Sequence, residues 1–408
     1  MLRDAAPPLK PGFLLLGPAF VAAIAYVDPG NVAANVSAGA QYGFLLVWVI
    51  LLANVMAGLV QYLSAKLGLV TGRTLPEAVA DHTRTPTRIA YWLQAELVAM
   101  ATDLAEVVGG AIALYLLFDL PLVVGGVITG LVSLLLLALQ NRRSQQVFER
   151  VISGLLLVIA IGFLTSLFVE APAASDVAGG LIPRFDGAES VLLATAMLGA
   201  TVMPHAVYLH SGLARDRHGC PDPGAPRRRL LRITRVDVAL AMLVAGAVNL
   251  AMLLVAATNL QGMENTDSIE GAYAAVQNSL GHTVALFFAV GLLASGLAST
   301  SVGAYAGAMI MQGLLRRSYP LLLRRLVTLV PALAILAIGI DPSRALVVSQ
   351  VVLSFGIPFA LIPLIRLTAN RTLMGDDANH RVTTALGWLV AVLISVLNVV
   401  LIYLTVRG

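Results

Sequence analysis

The chain has 408 residues, 58% of them hydrophobic and only 12% charged. Soluble domains carry about 25% charged residues, so the composition excludes an ordinary soluble fold and points to a polytopic membrane protein. The net charge of +4 sits mostly on arginines between apolar runs and speaks of topology rather than nucleic acid, while the single cysteine, Cys220, excludes an intrachain disulfide and a Cys-x-x-Cys metal site.

Met1 to Lys10 is short and polar and has no cleavable signal pattern. Eleven apolar segments follow, near 13–40, 44–70, 89–117, 121–139, 151–170, 189–213, 235–258, 283–313, 320–339, 345–367 and 384–405. At roughly 19–31 residues they have the length of membrane helices, not of barrel strands of about 10. With the N-terminus inside, every arginine except Arg184, Arg344 and Arg407 falls on the cytoplasmic side, with Lys10, and Lys66 at a span end. That asymmetry predicts eleven spans with the C-terminus outside.

The first span carries Ala25-Tyr-Val-Asp-Pro-Gly-Asn31. Pro29 has no N–H and Gly30 is permissive, so the helix is expected to break here. An acid at that depth is costly and marks a functional site. Asp28, Asn31 and a freed carbonyl near Ala25 would gather oxygen atoms suited to a cation. Span two holds Asn54 and Gln61 on one face, read as interhelical hydrogen bonding. Span three holds Glu96, Asp103 and Glu106, also on one face. Such a row marks a wet or proton-conducting path, or partners for buried arginines; Arg324 and Arg325 at the start of span nine are candidates, with membrane-interface anchoring as the alternative.

Span six repeats the pattern of span one at Ala200-Thr-Val-Met-Pro-His205. Two broken helices, five spans apart and oppositely oriented, point to an inverted-repeat transporter with a midplane site. The repeats would be 1–170 and 189–367, with 384–405 as an additional helix. Met203 offers a thioether, which turns a hard oxygen site toward Mn²⁺, Fe²⁺ or Cd²⁺; its alternative role is core filling. His205 is either a proton carrier or a satisfied polar group, and His210 would extend a path toward the cytoplasm. The segment 214–234, with Arg227-Arg-Arg229, reads as an internal linker, and Asp267–Leu280 as a short amphipathic helix at the outer surface. Span seven holds Asn249, span ten holds Gln350, and span eight is rich in small residues that predict close helix packing. No GxxxxGK[ST], HExxH or GxSxG motif occurs, so the common ATPase and hydrolase sites are missing.

Asp28-Pro-Gly-Asn31 and Met203-Pro-His205, the latter continuing to His210-Ser211, together resemble the Nramp family of divalent-metal transporters, in its bacterial manganese branch. The likeness extends through Glu96-Leu-Val-Ala-Met-Ala-Thr-Asp-Leu-Ala-Glu106 and covers nearly the whole chain. It implies an all-α, LeuT-like fold of two inverted five-helix repeats with helices 1 and 6 broken. It further implies that Asp28, Asn31 and Met203 bind the metal, helped by the carbonyl of Ala25 and, in some states, that of Ala200, with Thr201 and Gln350 approaching in others. Asp28, His205, Glu96, Asp103, Glu106, Arg324 and Arg325 match positions linked to proton movement. A related magnesium branch lacks the methionine, so Met203 argues against it. The implied function is proton-coupled import of Mn²⁺, also of Fe²⁺ and Cd²⁺, across the bacterial cytoplasmic membrane, with no cofactor, no obligate protein partner and no catalysis. An organic-substrate symporter of the same fold, a metal receptor and an intramembrane enzyme are the alternatives.

Overall fold

The computed structural model describes residues 17–140, 145–169, 171–262, 268–317 and 321–407. Arg3, Lys10, Arg142, Arg143 and Asp267 lie outside the described residues, as does the start of the first predicted span. Among the described residues there is no strand.

The first predicted span is three pieces: α1 (Pro18–Ala23), a tight helical turn over Ile24–Val27, and α2 (Pro29–Tyr42). Span two is α3 (Val47–Thr71), followed by a short α4 (Leu75–Asp81). Then come α5 (Thr85–Phe118), α6 (Leu122–Gln140), α7 (Gln145–Val169) and the short α8 (Ala174–Gly179). Span six is α9 (Gly187–Thr201) and α10 (Pro204–His218). The chain continues through α11 (Ala225–Asn259), α12 (Ile269–Leu280), α13 (His282–Leu315) and α14 (Leu321–Ile338). It ends with α15 (Pro342–Ala369), α16 (Arg371–Met374) and α17 (Arg381–Arg407). Among the described residues, each of the eleven predicted segments is helical apart from the breaks at Asp28 and Val202–Met203. Seven stretches among the described residues are long and apolar enough to cross a membrane, and shorter apolar helices stand at Pro18–Val27, Leu122–Leu135, Arg150–Thr165 and Leu326–Ile338.

The 214–234 linker is corrected. Only Gly219–Gly224 separates α10 from α11, and the arginine cluster forms the first turns of α11. Arginine is a good helix former, and Pro226 near the helix start costs no hydrogen bond. Three short helices were not anticipated. For α4 a signal existed: Thr74 and Glu77 form a reciprocal capping box.

Burial divides the helices. The stretch Gly187–His218 has 94% of its apolar window buried, against 28% for α17, so the second broken helix lies at the centre and α17 at the edge. α5 lies along α13, α11 covers α2 and α3, and α15 crosses α9. Large apolar side chains remain exposed on outer faces, among them Val55, Leu243, Ile338 and Val399, as a lipid-facing surface requires.

Candidate functional site

Both interruptions are built by proline at the first turn of the second half-helix, where its missing N–H costs nothing. At the first, Asp28 is extended (φ −71°, ψ 167°) and caps α2, its Oδ1 accepting the Asn31 N–H at 2.8 Å. The carbonyls freed just before it are taken by other helices. Asn249 Nδ2 donates to the Tyr26 carbonyl at 2.8 Å, and Ser295 Oγ donates to that of Val27. The break is therefore held open by α11 and α13, as buried backbone groups require.

At the second, α9 ends with the Val202 N–H bonded to the Leu198 carbonyl, and Met203 forms the non-helical step before Pro204. Asn31 joins the two breaks: its Nδ2 donates to the Ala200 carbonyl at 2.7 Å. That bond fixes the amide and leaves Asn31 Oδ1 buried with no hydrogen-bond partner among the described residues; Asp28 Oδ2 is in the same condition. A third such oxygen, Gln350 Oε1, comes from α15. The Gln350 side chain lies on Gly30, where a Cβ would overlap its amide, and its backbone carbonyl lies against Gly199. Thus α15 seals the space at both interruptions.

Ala25, Asp28, Asn31, Ala200, Met203 and Gln350 are all fully buried at or beside the two breaks. Thr201 Oγ1 is turned back onto the Met197 carbonyl at 2.7 Å. Buried oxygen atoms without donors are costly unless something fills the role. A cation is suited to it, because a carboxylate and amide oxygens are acceptors on the faces left open. Among the described residues no group of three or more His, Cys, Asp or Glu is gathered. Any cation held here therefore takes a mixed set with one formal charge.

The acids of α5 form a row leading away from the first break. Pro29 packs on Gly109 of α5. From there to Glu96 is thirteen residues of helix, about 20 Å at 1.5 Å per residue. Between them, Asp103 and Glu106 are buried. Glu96 pairs with Arg324 of α14 at 3.0 Å. The side chain of Arg325 is outside those described. His205 is buried against α5, its Nδ1 3.3 Å from Thr102 Oγ1. The small residues of α13 make room for these groups: Gly303 lies under the Glu106 carboxylate and Gly307 under the Arg324 guanidinium.

A third linkage carries no signal in the sequence. His210 Nδ1 lies 2.7 Å from Gln61 Oε1, and Gln61 Nε2 donates to the Tyr26 hydroxyl. The seven-residue spacing of Asn54 and Gln61 gave Gln61 a face but no partner. Ser295 carried no signal beyond small size.

A membrane protein with helices and no strand among its described residues, in which two apposed broken helices enclose unsatisfied oxygen atoms, has the architecture of a transporter, not of an enzyme. The chain belongs to the Nramp family: the family model described as Natural resistance-associated macrophage protein-like matches residues 19–404. It is 70% identical over 408 residues to a divalent metal cation transporter of Mycobacterium tuberculosis, covering 100% of this chain and 95% of that one. It is 49% identical over 398 residues to a divalent metal cation transporter of Bacillus subtilis, covering 96% and 92%. In three dimensions it is similar to the Eremococcus coleocola manganese transporter in complex with an aromatic bis-isothiourea substituted compound, with a TM-score of 0.84 at 30% identity, covering 98% of this chain and 88% of that one. A nucleobase-cation-symport-1 family transporter in a closed conformation shares the fold alone, with a TM-score of 0.61 at 16% identity over 95% of this chain and 90% of that one.

Proposed function

We propose that this chain imports Mn²⁺, with Fe²⁺ and Cd²⁺ also accepted, in symport with protons by alternating access. The observation that carries the proposal is the pair of buried oxygens, Asp28 Oδ2 and Asn31 Oδ1, that have no hydrogen-bond partner among the described residues and lie beside the second break, held by the Asn31–Ala200 bond. The names of the 70% and 49% identical relatives support divalent cations as the substrate.

In this reading Asp28 supplies the charge, and Asn31, Gln350 and the Ala25 and Ala200 carbonyls supply neutral oxygens. Met203 supplies the soft ligand that favours transition metals over Ca²⁺ and Mg²⁺. One charged ligand gives moderate affinity, which suits release as well as capture. Cation and proton compete for the same carboxylate, so loading sends a proton toward His205 and the row Glu106, Asp103 and Glu96. Arg324 and Arg325 balance that row at its far end. The units 1–170 and 189–367 act as inverted repeats that rock about the midplane, and 384–405 is an addition. The protein sits in a bacterial cytoplasmic membrane with its N-terminus inside and its C-terminus outside, and works with no cofactor, nucleic acid or obligate protein partner.

The test is Mn²⁺ uptake into proteoliposomes, with and without an inward proton gradient, for wild type and Asp28→Ala. Uptake raised by the gradient and lost in the variant is expected. Normal uptake by folded Asp28→Ala would overturn the site, and gradient-independent uptake would overturn the coupling.

A further inference from the structure

The half-helix α1 has only six residues, and the turn at Ile24–Val27 separates it from α2. Helix starts expose N–H groups that need acceptors, and the sequence offers none locally. The N-cap is Gly17, at φ 142°, with no side chain to turn back, and Pro18 has no N–H to satisfy. The acceptor comes from another helix more than two hundred residues away. Asp237 of α11 takes the Gly17 N–H on Oδ1 and the Ala19 N–H on Oδ2, each at 3.0 Å. Asp237 is 2% exposed and forms no ion pair among the described residues. Its two amide contacts are its whole hydrogen-bonded environment there.

A carboxylate buried in an apolar helix without a cation is costly, and calls for a function. An ordinary N-cap travels with its helix and stays formed wherever the helix goes. A cap supplied by a different helix exists only while α1 is docked. Undocking would break two charge-assisted bonds at once and strand both the amides and the carboxylate.

We propose that Asp237 is a latch: its bidentate grip on the first amides of α1 holds the inner half of the first broken helix closed, and its release is a condition of opening the site to the cytoplasm. Asp237 touches no cation and acts by positioning α1. The inference rests on the alternating-access reading above.

The test is cysteine accessibility. In a Cys220→Ser background, which removes the exposed native thiol, Ala22→Cys places a thiol on the buried face of α1. Its reaction with a water-soluble maleimide reports undocking. With Asp237 intact the thiol should be protected. Asp237→Ala should raise the labelling rate on the order of tenfold or more, as loss of charge-assisted bonds implies. Asp237→Asn keeps the shape and one acceptor, so it should give a smaller rise and guards against a variant that fails to fold; Asp237→Glu should restore protection in part. A purely structural role would lower the melting temperature and leave labelling of the folded protein unchanged, and that outcome would overturn the latch. Failure of wild type to take up Mn²⁺ would overturn the functional reading, while the labelling rates would still decide whether Asp237 holds α1.

Discussion

A methyl group added at Gly307 would land among Cζ, Nη1 and Nη2 of Arg324. The guanidinium is the far end of a flexible side chain, so it would swing aside rather than force α13 and α14 apart. The loss is then its pairing with Glu96, now 3.0 Å, with side chains 7% and 19% exposed. Stranding one member of a buried pair costs about 3–5 kcal/mol. The low end applies, because Glu96 is partly reached by solvent. Against this, alanine in place of glycine in a helix gains about 1 kcal/mol. Gly307→Ala should therefore destabilise by about 2 kcal/mol, read by reversible unfolding in detergent. In a Glu96→Gln background no carboxylate remains to strand, so that cost of about 3 kcal/mol drops out and the same substitution should be neutral or gain up to about 1 kcal/mol. Gradient stimulation of Mn²⁺ uptake should fall while Mn²⁺ affinity stays unchanged. An equal cost in both backgrounds, or none in either, would refute the view that Gly307 is a seat for Arg324.

Gly30→Ala puts a Cβ into the Gln350 amide and should weaken Mn²⁺ binding by tenfold or more in calorimetry; unchanged affinity would remove Gln350 from the site. Met203→Ala should raise Ca²⁺ and Mg²⁺ uptake relative to Mn²⁺, and an unaltered ratio would end the soft-ligand argument. In α12, burial holds the Glu270 carboxyl above the ordinary carboxylate range; Asp341 nearby also raises it, and a bond from Ser343 Oγ at 3.2 Å lowers it. The folded state therefore binds this proton more tightly than the unfolded one. Its stabilising contribution is complete below the ordinary carboxylate pKa and is lost as pH rises through the raised value. The protection factors of the α12 amides, with intrinsic exchange divided out, should rise on acidification, and Glu270→Gln should flatten that dependence; an equally steep profile in the variant would assign it elsewhere.

The segments that became helices were legible because each is a long apolar run, and the breaks because Pro29 and Pro204 stand inside such runs. Asp28 and Asn31 were legible for the same reason, since polar groups at that depth need a purpose. Apart from Arg324, a candidate partner for the span-three acids that does pair with Glu96, sequence could not supply partnership. Nothing in the order of residues joins Asn31 to Ala200, Asn249 to Tyr26, or Asp237 to Gly17. Those bonds depend on how helices far apart in the chain cross. The small residues of α13 show the same limit: their spacing announced close packing, but not that the packed objects are Glu106 and Arg324. The linker error at 214–234 came from reading arginines as loop markers, when the same residues also favour helix.

Asp28 is the only carboxylate between Pro18 and Tyr42, and none lies between Val191 and Leu213. In the proposed reading, a site with that composition changes sign with its contents: −1 when empty and ionised, +1 with a divalent ion aboard, zero with a proton. Each elementary charge carried through the full field is worth about 2.3 kcal/mol per 100 mV. In the import cycle proposed above, with the cell interior negative, the loaded carrier is drawn inward. An empty carrier that resets ionised is driven back by the same voltage, so the potential acts on both halves of the cycle. One that resets protonated feels it on the loaded half alone.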